Sequence, residues 1–161
     1  LVHDKLYRSD NLAQINFADY IRDLSNYLYS IYWNQTQDVD IDIQAQDIFM
    51  EIDMAVSCGL ILNELISNAF KHAFPKDHPD RDDDPLNKIR VHLSLSDDGR
   101  LDMLVADNGI PPVDLDIRNV KTLGFQLIHA LVQQLNGELG MEISNWTSFR
   151  VDIPYRGEGI E

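Results

Sequence analysis

The stretch NELISNAFKHAF, Asn63 to Phe74, decides how this chain reads. Leu65, Ile66, Ala69, Phe70 and Ala73 are what a buried helix carries, and the apolar run begins at Met54 and stops before Pro75. Glu64, Asn68, Lys71 and His72 are threaded through it, although burying an unpartnered carboxylate is costly. On a helix of about 100° per residue, Asn68 lies roughly 40° from Glu64, Lys71 about 20° the other way, and His72 about 80° round. The four share one stripe, and Leu62, Leu65, Ala69 and Ala73 form the core-facing arc. A lysine can neutralise a phosphate as a point charge. An amide oxygen suits Mg²⁺, which keeps several waters and shares phosphate ligands. A glutamate can take or orient a proton. The competing reading of this stripe is a solvated face with i,i+4 pairing.

Around this helix the pattern alternates between periods. Asn16 is the expected N-cap of an earlier helix, with Asp19 three residues on, and Phe17, Tyr20, Ile21, Leu24, Tyr27, Leu28 and Ile31 recur at helical spacing. Val39–Gln44, Ile89–Ser96 and Arg100–Asp107 alternate as strands, the last two joined through a DDG turn. Leu123–Gly137 reads as a third helix, with Leu127, Ala130, Leu131 and Leu135 on one side and Gly137 as its cap. Two further strands, ELGMEIS and SFRVDIPY, close the chain. Strands pair locally and helices stand apart. The fold class is therefore α+β: a two-layer sandwich of one mixed, mostly antiparallel sheet with helices on one face.

Composition narrows the function. The 161 residues fit one domain, and 44% hydrophobic residues support a core. The formal net charge of −14 argues against nucleic acid or an anionic membrane as partner. No stretch approaches the ~20 apolar residues of a membrane span. The single cysteine, Cys58, sits in an apolar run and reads as a small core residue. The acidic stretch Lys76–Lys88 lacks the glycine and terminal glutamate of a calcium loop and reads as solvated.

Two more features carry possible chemistry. Asp107, in VADNG, ends a buried strand and can accept a hydrogen bond from an exocyclic amine, although Asp-Asn-Gly is also a plain turn. Gly124, in TLGFQL, opens a helix whose free N–H groups favour phosphate. In this order, the E-x-x-x-N-A-x-K-H helix, D-x-G and L-G-x-x-L resemble the ATP-binding domain of the GHKL superfamily, over nearly the whole chain. That superfamily includes DNA gyrase, heat-shock protein 90, mismatch-repair ATPases and sensor histidine kinases. LYRSDNLAQINFADYI and CGLILNELISNAFKHAFP are most similar to one subgroup of sensor histidine kinases.

The resemblance implies a Bergerat-type sandwich binding ATP or ADP with Mg²⁺. Asp107 would bind adenine N6, Asn68 would hold Mg²⁺, and Lys71 and His72 would lie near the phosphates. Gly109 belongs to the first glycine box, and Thr122, Leu123, Gly124 and Phe125 to the second. Thr147 stands in the last, and Asn108–Thr122 would be the lid. Glu64 would act as general base in an ATPase, or orient the accepting histidine in a kinase. Residues 16–156 would be the catalytic domain, 1–15 the remnant of a preceding phosphoacceptor and dimerisation region, and 157–161 a tail. None of His3, His78, His92 and His129 has the surroundings of a phosphoacceptor, so the acceptor is expected on a separate domain of a homodimeric parent that serves a response regulator. The implied location is cytoplasmic, whether or not the parent is membrane-anchored.

Three positions depart from the family pattern. Pro111 and Trp146 stand where glycines are usual, and Leu123 replaces a leading glycine. Nucleotide binding is expected to be retained, with Pro111 and Trp146 as the positions that could weaken it. The alternatives are a degenerate Bergerat-fold interaction module, or a stand-alone ATPase or serine kinase of the same superfamily.

Overall fold

The computed structural model describes residues 14–77, 86–112 and 123–155. Seven strands and three helices follow in the order β1 (Ile15–Asn16), α1 (Phe17–Tyr32), β2 (Asp40–Ala45), β3 (Phe49–Met50), α2 (Ile52–His72), β4 (Lys88–Leu95), β5 (Arg100–Asp107), α3 (Leu123–Gln134), β6 (Glu138–Ile143) and β7 (Thr147–Pro154). Five strands make the main sheet in the order β2-β4-β5-β7-β6. Only the β2–β4 pair within it is parallel. A parallel pair needs a long crossover, and α2 supplies it. The result is the expected α+β sandwich, with all three helices on one face.

Strand alternation sets that layering. Ile89, Val91 and Leu93 of β4, Leu101, Met103 and Val105 of β5, and Val151 and Ile153 of β7 are buried under the helices. The other face is polar and cross-paired. Arg90 and His92 lie 3.6 and 3.8 Å from Asp42, Arg100 lies 2.8 Å from Asp152, and Arg150 pairs with Asp102. Such partly exposed pairs add little stability each. They give the open face a register rather than a core.

The Asn16 cap is present: its side-chain oxygen accepts from Asp19 N at 3.3 Å. Phe17, Tyr20, Ile21, Leu24 and Leu28 face the core, but Tyr27 and Ile31 do not. The last turn of α1 is instead turned to Phe70, on which Tyr32 stacks at 5.8 Å and Tyr29 packs edge-on at 6.4 Å. The face of α3 also differs from expectation. Phe125, Ile128 and Val132 are buried, Leu131 and Leu135 pack at the margin, and Leu127 and Ala130 are exposed. Phe125 meets Phe149 of β7 at 5.6 Å, and this contact rotates the helix. The left-handed residue after α3 is Asn136, not Gly137, with φ of 58°. Gly137 N bonds Val132 O at 2.9 Å and Asn136 N bonds Gln133 O at 3.0 Å, a Schellman closure. Ile15 is buried and pairs with Met50, a contact too short to show a sequence period. Cys58 is a core residue, and burial pushes its thiol up to about 12.

A buried polar clamp fixes the end of α2. Gln37 Nε2 donates to Pro75 O at 2.9 Å, Gln37 N donates to Phe74 O at 3.1 Å, and Asn87 Nδ2 donates to Gln37 Oε1 at 3.1 Å. The segment before β2, the exit of α2 and the entry to β4 are thereby tied together. Removing one partner from a buried network costs more than the bond itself is worth. Gln37→Ala is therefore expected to destabilise the domain by about 1–3 kcal/mol, read as a lower urea midpoint at unchanged m. A midpoint equal to the parent's would show that the clamp carries no stability.

Candidate functional site

Four elements meet at one end of the sheet. The last turns of α2 bring Glu64, Asn68, Lys71 and His72. The end of β5 brings Val105 and Asp107, the start of β7 brings Thr147 and Phe149, and the first turn of α3 brings Gly124 and Phe125. With Leu65, Ala69, Ala73, Ile110, Pro111 and Pro112 they line a cavity of about 440 Å³. That volume lies within the ordinary range for small-molecule sites, roughly 300–1,000 Å³.

The polar groups are graded by depth. Asp107 is 7% exposed and Thr147 4%, and the two are direct partners in the β5–β7 register. Asp107 Oδ1 accepts from Gly109 N at 3.0 Å. An ionised carboxylate has room for several donors, so this bond leaves acceptor capacity. Glu64 and Asn68 are half-buried, and Lys71 and His72 are exposed at the rim. Lys71 and His72 sit in the last turn of α2, whose carbonyl end favours the positive charge of the lysine. Val105, Leu65, Ala69 and Phe149 give the deep end an apolar lining, suited to a flat aromatic ligand beside the Asp107 carboxylate. The first turn of α3 borders the same space through Gly124 and Phe125, and a helix N-terminus favours negative charge.

The candidate residues do not all converge. Leu123 is 81% exposed and lies outside the cavity lining. Thr122 lies outside the described residues, as do His3, His78, most of the Asn108–Thr122 segment, and residues 157–161. Gly109 does not line the cavity but builds it. A Cβ at Gly109 would lie 2.2 Å from Ala73 O, and Ile110 N bonds that same oxygen at 2.8 Å. Asn108 is likewise scaffold. Its Oδ1 accepts from Lys88 N at 2.8 Å and its Nδ2 donates to Leu86 O at 2.6 Å. The apolar lining of Val105 and Phe149 is what sequence reading missed. Each stands two residues from a named polar residue on the same strand face, so the period-2 rule could have found them.

Of the departures from the glycine pattern, Leu123 and Trp146 lie outside the cavity lining and Pro111 is part of it. Trp146 precedes Thr147 and so points to the opposite face of the sheet, where its ring lies 4.1 Å over the Arg90 guanidinium. Pro111 forms part of the exposed wall. No described residue of the 107–112 turn has positive φ, so proline is compatible there. A second concavity of about 470 Å³ on the open face is lined by Gln44, His92, Asp102 and Arg150 among others. It gathers charges already engaged with one another, such as Arg150 with Asp102, and none of the nucleotide-site residues expected from sequence. Among the described residues, no group of three or more His, Cys, Asp or Glu side chains forms a metal cage.

This sandwich, with an acid at a strand end facing an amide and a cation on a helix, has the form of a nucleotide-binding domain. Residues 55–157 match the family model described as histidine kinase-, DNA gyrase B-, and HSP90-like ATPase, and the chain belongs to that family. Blue-light-activated histidine kinase 2 of Erythrobacter litoralis is 28% identical over 118 residues, 72% of this chain and 32% of the relative. The chain thus spans about a third of that protein's length. The histidine kinase domain of the Erythrobacter litoralis EL346 blue-light activated histidine kinase superposes with a TM-score of 0.78 at 23% identity, covering 95% of this chain and 69% of that one. Acinetobacter baumannii histidine kinase AdeS gives a TM-score of 0.66 at 13% identity, covering 95% and 75%. At these identities the two structures show a shared fold.

The backbone contact at Gly109 generates a test. Its obstacle is a carbonyl oxygen that cannot swing away. Gly109→Ala is expected to cost about 1–3 kcal/mol in urea or thermal unfolding, the usual range for forced overpacking. An unchanged melting temperature would mean that the turn and α2 separate freely.

Proposed function

We propose that this chain is the ATP-binding catalytic domain of a sensor histidine kinase. It would hold MgATP in the cavity between α2, α3 and the sheet. It would transfer the γ-phosphoryl group to a histidine on a separate dimerising domain of the same protein, which in turn serves a response regulator. One observation carries this reading: Asp107, Asn68, Lys71, Gly124 and Thr147 come from four separate elements and line a single cavity.

In this reading Asp107 accepts the adenine amino group, with Thr147 beside it, and the Val105–Phe149 surface receives the ring. Lys71 and His72 face the phosphates from the rim, and the first turn of α3, with Gly124 and Phe125, faces them from the other side. The half-buried Asn68 amide offers an oxygen to an Mg²⁺ ion, which would keep several waters and share phosphate ligands. When bound, that ion would neutralise phosphate charge. Phosphoryl transfer asks the protein chiefly for positioning and charge stabilisation. A lone pair of the accepting imidazole forms the new P–N bond as the bond to the ADP oxygen breaks. Glu64 holds the N–H of that imidazole, so that the ring presents its other nitrogen in line. An ATPase or serine kinase would use the same carboxylate on water or a hydroxyl, and would turn over without any histidine domain.

No helix among the described residues is long and apolar enough to cross a membrane. We place the domain in the cytoplasm, where ATP is available, and assign no nucleic-acid partner to a chain of net charge −14. The parent is read as a homodimer joined outside this chain.

Titration calorimetry with MgADP is expected to show binding by this domain, weakened at least about tenfold, or ~1.4 kcal/mol, in Asp107→Ala. MgADP should also raise the melting temperature of the parent, since a ligand of the native state stabilises it. Trp146→Gly should leave affinity within about twofold, because its side chain faces away from the site. Absence of any nucleotide affinity would sink the proposal in favour of an interaction module.

A further inference from the structure

We propose that Gly124 is a positioning residue for Glu64: its missing side chain leaves the Glu64 carboxylate its place against the first turn of α3. The inference rests on reading the chain as a phosphotransfer domain, and gives Gly124 a task other than holding phosphate. A Cβ built on Gly124 would lie 2.5 Å from Glu64 Oε2, 3.3 Å from Cδ and 4.0 Å from Oε1. Its three nearest neighbours are therefore all atoms of one carboxylate group.

Neither backbone conformation nor backbone crowding requires a glycine at this position. Gly124 does not have positive φ; among the described glycines only Gly99 does. No backbone approaches it as Ala73 O approaches Gly109. Glycine is also the poorer choice for a helix, costing up to ~1 kcal/mol against alanine. What the position gains is clearance for an anion at a helix N-terminus, where the dipole favours it. The obstacle to a side chain here is the far end of a flexible glutamate. A substitution should therefore leave the fold intact and move the carboxylate. Misplacement by about 1 Å at a reacting centre can cost on the order of 10²-fold in rate.

The experiment uses the full-length kinase and follows transfer of the γ-phosphoryl group to its own histidine. Gly124→Ala is expected to lower kcat about tenfold or more while the KM for ATP stays within about threefold. In a Glu64→Ala background, where no carboxylate remains to be displaced, Gly124→Ala should cost less than about twofold further, the non-additivity of residues acting as a unit. A crystal structure of the Gly124→Ala domain should show the Glu64 carboxylate moved away from residue 124. Equal losses in both backgrounds, a rise in KM without a fall in kcat, wild-type activity, or an unmoved carboxylate would each overturn the inference. If the unsubstituted kinase neither binds ATP nor transfers its phosphate, the functional reading fails first and takes this inference with it.

Discussion

The hydrogen bond from Ile110 N to Ala73 O, at 2.8 Å, is the joint on which the site depends. It pins the exit of β5 to the end of α2, and Gly109 lets the two backbones meet there. Asp107 lies just before the joint on the sheet side, and Asn68, Lys71 and His72 lie just before it on the helix side. The Gln37 clamp holds the same helix end from behind through Pro75 and Phe74. Asn108 ties β5 to the start of β4. Three tethers thus hold the helix end and the strand end at one separation, and the cavity is the space they leave.

The chain's glycines sort by what a Cβ would meet. At Gly109 it would strike the Ala73 backbone, and at Gly124 it would strike the Glu64 carboxylate. The three positions where the family pattern has lost a glycine have no such obstacle in the cavity. Pro111 lies in the exposed wall, Leu123 projects to solvent, and Trp146 crosses to the open face to lie over Arg90. A glycine box is therefore not uniformly intolerant. Its tolerance follows from where each side chain would point: backbone contact demands the glycine at 109, whereas at 124 a side chain would meet only the Glu64 carboxylate.

The site was legible from sequence to the extent that its signals are local. The stripe of Glu64, Asn68, Lys71 and His72 follows from helical spacing alone. The placement of Asp107 at the mouth of the sheet follows from the alternation of RLDMLVAD. The sheet's mixed character was readable from the order of helices and hairpins. What stayed hidden depends on contacts between distant segments. The rotation of α3 is set by Phe125 against Phe149, which no heptad-like count within the helix reveals. The end of α1 turns toward Phe70, so Tyr27 and Ile31 share the helical spacing of core residues and remain exposed. The two-residue strands β1 and β3 are too short to carry a period. Trp146 read as an intrusion because its partner, Arg90, is 56 positions earlier in the chain.

The most direct measurement is a crystal structure of this domain grown with Mg²⁺ and a non-hydrolysable ATP analogue. Adenine is expected at the Asp107 carboxylate beside Thr147. The triphosphate is expected to run past Asn68 toward Lys71 and the first turn of α3. A nucleotide bound instead at the Arg150 and His92 concavity of the open face would contradict that binding mode, as would a cavity still empty at saturating ligand.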